Sequence, residues 1–209
     1  MTPNGAFTVG FILIALGAAL NCSIGTVVYL LKLPVFLDSI GTILVALLLA
    51  PDRLAAFMCS WAAGWIGLAV SGLINPFLPW FAITDVAISL VSALLVVGAA
   101  ATFRERPLDS APFIGRVLLC GIVIGVVSAV VSVPVVVYLF GGVTGSGSAL
   151  VVAVFLKAGQ HLMSAAMISG LLSDPLDKVL QVLFAALLYR ATPADFIAML
   201  RTKEPEPSR

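Results

Sequence analysis

Charge is what this chain has least of. Only 10% of its 209 residues are Asp, Glu, Lys or Arg, and none of the four precedes Lys32. A water-soluble globular domain carries about 25%, so that class is excluded. Net charge is +1, which leaves no field for nucleic acid or for an acidic partner. Cysteine is scarce as well: Cys22, Cys59 and Cys120 sit in apolar runs without CxxC spacing. Three small buried hydrophobes are expected there, not a disulfide or a metal site. The single histidine, His161, has no second ligand at metal spacing. Neither HExxH nor a plausible nucleophile–base pair is present, which argues against an intramembrane enzyme. Ser146 and His161 are a poor serine-protease pair, because Thr144-Gly145-Ser146-Gly147 lacks the leading glycine of Gly-x-Ser-Gly. The N-terminus has no basic region and its apolar run is too long for a signal peptide, so no cleaved signal is expected.

What is present is hydrophobic length. The chain is 61% hydrophobic with a mean hydropathy of +1.18, and its size suits one domain. An all-α integral membrane protein follows. Its transmembrane domain is expected over 1–192, with a polar cytoplasmic tail at 193–209. Residues 8–31 are long enough to span. Helices are also expected over 39–50, 54–74, 81–103 and 113–140, the last with Pro134 as a kink site. The prolines of Asn75-Pro76-Phe77-Leu78-Pro79-Trp80 break the chain between the third and fourth helices. The Gly-rich segment 141–148 reads as a flexible turn. Asp174-Pro175 is expected to interrupt the last third, separating 149–172 from a final helix at 176–189. That third makes either two crossings or one crossing preceded by a short surface helix. Arg53, Arg104, Arg106 and Arg116 fall on one side and Lys32 on the other. Together with the basic tail this favours an even count under the positive-inside rule, so six crossings are expected, with seven as the alternative.

The block Lys32-Leu33-Pro34-Val35-Phe36-Leu37-Asp38-Ser39-Ile40-Gly41-Thr42 stands out. A helix from residue 39 must stop near Ala50, before Pro51. Its 12 residues reach about 18 Å, against a bilayer core of about 30 Å. Irregular backbone must make up the difference, and at membrane depth it survives only inside protein or beside a watery cavity. The block therefore implies a cavity.

Each polar residue has a bland role and a sharper one. Asp38 is most simply the N-cap of the short helix, and Lys32 snorkels to the interface. Asn75 and Trp80 stand where two helices meet the outer water, Trp80 as an interface anchor or as a cover over a flat ring. Asp85 lies in a membrane helix, where an ionisable group is costly and functional by default. Lys157, Gln160 and His161, at i, i+3 and i+4, would share one helix face and hold a carboxylate, phosphate or amide. Trp61 and Trp65 read as packing or lipid contacts. Asp174, Asp177 and Lys178 read as a cap and a local pair, or as cavity groups if the final helix dips that far.

The 32–42 block, the Pro51 break, the small-residue-rich third helix and Ser173-Asp174-Pro175-Leu176-Asp177-Lys178 together resemble the S component of an energy-coupling factor (ECF) transporter. In the first helix Ala15-Leu16-Gly17-Ala18-Ala19 fits the Ala-xxx-Ala pattern by which S components dock. The resemblance covers residues 8–192, though the stretch 149–172 is longer than the family leads one to expect. It implies an S-component-like helical bundle in the bacterial plasma membrane that captures a vitamin or vitamin precursor from outside. Its partners would be a transmembrane coupling protein, docked through Ala15 and Ala19, and two ATPase subunits. Those subunits use ATP, while this chain binds no cofactor. The ligand would lie beside 32–38, 75–80 and 141–148, the last contributing Thr144. A stand-alone vitamin transporter is the alternative; were it a cobalamin carrier, Cys59 would be the candidate cobalt ligand.

Overall fold

A computed structural model describes residues 3–142, 144 and 147–201. The described residues form helices α1 (Pro3–Leu30), α2 (Ile40–Leu48), α3 (Arg53–Ser71), α4 (Ala82–Val91), α5 (Val97–Glu105), α6 (Ala111–Tyr138), α7 (Ser148–Lys157), α8 (Leu162–Ala191) and α9 (Ala194–Arg201). A 3-10 turn at Leu78–Phe81 leads into α4, and a π turn at Ser92–Val96 joins α4 to α5. Leu78–Glu105 is therefore one apolar span. With Val9–Leu30, Arg53–Ser71 and Ala111–Tyr138 it makes four helices long and apolar enough to cross a membrane. Among the described residues the number rises to five if α8 and α9, bent by 99° at their junction, are counted as one span.

The short helix is the centre of the bundle. All nine residues of α2 are buried, where they pack with Leu13 of α1, Ala63 of α3 and Val182 of α8. At about 14 Å, α2 is shorter still than the expected 39–50. Its backbone crosses α1 so closely at Gly41 and Gly17 that neither position has room for a Cβ. Pro51 and Asp52 end it, and the Asp52 carboxylate caps α3 by accepting the Ala55 N–H at 3.0 Å.

Glycines also set the outer pairs. Gly125 of α6 lies on the backbone of Asp174 and Pro175, and Gly121 lies on Val179, which makes α6 and α8 antiparallel. The expected break at Asp174-Pro175 is not formed: α8 runs through Pro175 for 30 residues. Gly125 lets the neighbouring backbone close over the proline, and packing outweighs the one lost helical bond. The chain breaks earlier instead, after Lys157, where Gly159 takes φ +86°. A short helix thus precedes one long one, which is one of the two arrangements open from the sequence.

The ends of the bundle differ. At one end Arg104 donates to the carbonyl oxygens of Tyr189 (3.0 Å) and Thr192 (3.1 Å), satisfying the last carbonyls of α8. Arg53, Arg106, Arg116 and Arg190 belong to the same end. The segments 31–39 and 72–77 gather at the opposite end with 139–142, 144 and 147; residues 143, 145 and 146 lie outside the described residues.

Adding a methyl group at Gly41 should force α1 and α2 apart. Gly41→Ala is expected to destabilise by about 1–3 kcal/mol, seen as a lower melting temperature in detergent. Gly98→Ala, with nothing within 4 Å of its Cβ, should not lower the melting temperature, since alanine is the better helix former.

Candidate functional site

The segment between α1 and α2 is irregular, with Lys32 and Leu37 at positive φ (54° and 49°). Its amides need acceptors, and α8 supplies them. Asp177 Oδ1 accepts from the N–H groups of Phe36 and Leu37, both at 2.9 Å. Asp177 Oδ2 accepts from Lys178 Nζ (2.9 Å) and Gln181 Nε2 (2.7 Å). Gln181 Oε1 in turn accepts the Ser39 N–H at 3.0 Å. From the other side Asn21 of α1 accepts the Gly41 N–H (2.7 Å) and donates to Thr42 Oγ1 (2.9 Å).

These contacts correct the expected role of Asp38. It does not cap α2; Asn21 and Gln181 have taken the amides there. Asp38 accepts the Ser39 hydroxyl at 3.1 Å and pairs with Lys178 Nζ at 3.5 Å.

Beneath this segment lies a cavity of about 90 Å³. One water needs about 10–15 Å³, so a small organic molecule is the natural scale. Phe36 and Asp38 form one wall, Leu78 and Phe81 a second, and Thr144 and Ser148 a third. The inner surface carries Asp85 from α4, Ser128 and Ser132 from α6, and Ser173, Asp174 and Lys178 from α8. Leu68, Ile88, Val133 and Val136 supply apolar area. Phe140 stands against the Phe77 and Phe81 rings, at 4.9 and 6.0 Å between centroids. A concave surface that is mostly apolar in area, with polar groups set into it, is the pattern of ligand pockets.

No family model, curated protein or solved structure matches the chain.

The candidate residues separate into two groups. Asp38, Asp85 and Thr144 line the cavity. Asn75 is buried and accepts the Phe77 N–H at 3.2 Å; it borders a smaller neighbouring hollow instead. Trp80 is 60% exposed, and Lys32 is exposed with its ammonium 4.0 Å from the centre of the Tyr29 ring. Lys157, Gln160 and His161 are exposed and outside the cavity lining. They do not share a helix face, because α7 ends at Lys157 and Gly159 turns the chain before α8. Cys59 is half-buried and also outside the lining. Ala15 and Ala19 are exposed on α1. Ser146 lies outside the described residues.

Two functional roles escaped the sequence reading. Gln181 completes a row with Asp174, Asp177 and Lys178 at i, i+3, i+4 and i+7, one polar stripe on an apolar helix. The stripe was legible by its period, had Pro175 not suggested a break. Gly64 is the second: the Asp85 carboxylate lies where its Cβ would be. Only the three-dimensional approach of α3 and α4 reveals that.

Asp177→Ala should leave Lys178, which is 3% exposed, short of its nearest counter-charge. The expected cost is about 3–5 kcal/mol, with faster amide hydrogen exchange at Phe36 and Leu37. Unchanged exchange at both amides would show that the segment is held by other contacts.

Proposed function

We propose that this chain is the membrane-embedded substrate-binding subunit of an ECF-type importer. It captures a vitamin-like small molecule, or a precursor of one, at the outer face of a bacterial plasma membrane. The supporting observation is the cavity, walled by three inter-helix segments at the end of the bundle opposite Arg53, Arg104 and Arg106. Positive residues favour the cytoplasm, which puts the cavity's end outside. Taking the 31–39 segment with α2 as one crossing gives six in all and leaves the basic tail inside.

In this reading the chain binds the ligand, and ATPase subunits acting through a coupling protein supply the energy for uptake. One further feature supports a partnered role. The exposed Ala15 and Ala19 on α1 present small side chains, against which another membrane helix packs closely.

Uptake by cells expressing the chain with and without a coupling protein and its ATPases tests the reading. The expected result is ligand binding by the chain alone, found by thermal shift over a vitamin panel, and uptake only with all partners. Uptake by the purified chain alone in liposomes would overturn it in favour of a stand-alone transporter. Ala15→Trp with Ala19→Trp should abolish uptake and leave binding intact; lost binding would mean that this face packs inside the fold.

A further inference from the structure

Acidic side chains outnumber basic ones around the cavity. Among the described residues Lys178 is the one basic side chain lining it, facing Asp38, Asp85 and Asp174, with Asp177 immediately behind. Lys178 is committed to Asp177 at 2.9 Å and to Asp38 at 3.5 Å. Asp177 is in turn saturated by four donors. Asp174 accepts the Ser173 hydroxyl at 3.2 Å. Asp85 is different. It is 4% exposed, and its Oδ2 has no hydrogen-bond partner among the described residues. The neighbouring Thr84 hydroxyl, also on the cavity wall, is likewise buried without a partner. Buried carboxylates persist when paired, yet Asp85 forms no ion pair among the described residues: Lys178 acts on it only at longer range and is already held by Asp177 and Asp38. Gly64 meanwhile keeps clear the space that the carboxylate occupies.

Resting on the reading of this cavity as a substrate site, we propose that its ligand is a small organic cation whose protonated nitrogen pairs with Asp85 and whose apolar body lies between Phe81 and Val133. A metal ion fits less well. Among the described residues no three His, Cys, Asp or Glu side chains gather closely enough to hold one. The apolar wall of Leu68, Phe81, Ile88, Val133 and Val136 would contribute nothing to a bare ion. It suits a ring or short hydrocarbon, and the Thr84 hydroxyl accepts a second N–H.

The test uses three probes of one shape on the detergent-purified chain at pH 7: 2-phenylethylamine, 2-phenylethanol and 3-phenylpropanoate. Calorimetric titration should show the amine bound at least tenfold more tightly than the alcohol, and the carboxylate not bound. Asp85→Asn should weaken amine binding at least tenfold and leave alcohol binding within twofold. Equal affinity for amine and alcohol, tighter binding of the carboxylate, or no binding of any probe would overturn the proposal. The comparison within the unmodified protein decides even if Asp85→Asn fails to fold. Alcohol or carboxylate binding without amine preference would refute the charge assignment and leave a ligand cavity standing. Uptake independent of a coupling protein would refute the importer reading and leave the amine site standing.

Discussion

The carboxylate of Asp177 holds the architecture of the cavity together. An irregular segment at membrane depth must have its amides satisfied by protein, and Asp177 takes two of them on one oxygen while its other oxygen anchors Lys178 and Gln181. Everything above the cavity depends on that clamp: Phe36 and Asp38 form a wall only because the backbone beside them is pinned to α8. The same residue fixes the ammonium that faces Asp38. One buried group thus ties the roof of the site to its side wall.

The class of the molecule was legible because low charge and long apolar runs reflect the solvent directly. So was the cavity's existence, since a helix too short for a bilayer obliges irregular backbone and irregular backbone needs shelter. The three segments expected around a ligand do meet, contributing Asp38, Leu78 and Thr144 to the walls. The sequence was misleading where a local rule met a tertiary contact. Pro175 should end a helix, yet Gly125 across the interface lets α8 continue. Asp38 has the composition of a cap, yet Asn21, far back on α1, reaches the amides first. Lys157, Gln160 and His161 had helical spacing but not the helix, because Gly159 turns the chain between them.

Two kinds of close packing produce two effects. Where α1 meets α2, and α6 meets α8, missing side chains bring backbones together and make rigid pairs. Where α3 meets α4, the missing side chain at Gly64 admits a carboxylate instead of a helix. The bundle is tight where it must be stable and open where Asp85 stands. The π turn at Ser92–Val96 lies one helical stretch beyond Asp85, with Ser89 and Ser92 buried on the way. Polar character therefore extends inward from the cavity along α4.

The nine buried residues of α2 also bear on how the protein is made. A segment that short cannot rest across a bilayer by itself, and its surface is matched to helices, not to lipid. It can take its place only once α1 and α3 stand on either side of it. The acceptors for the amides of Phe36, Leu37 and Ser39 lie on α8, which leaves the ribosome long after them. The roof of the cavity is thus synthesised well before the helix that secures it. Assembly of the site waits on α8.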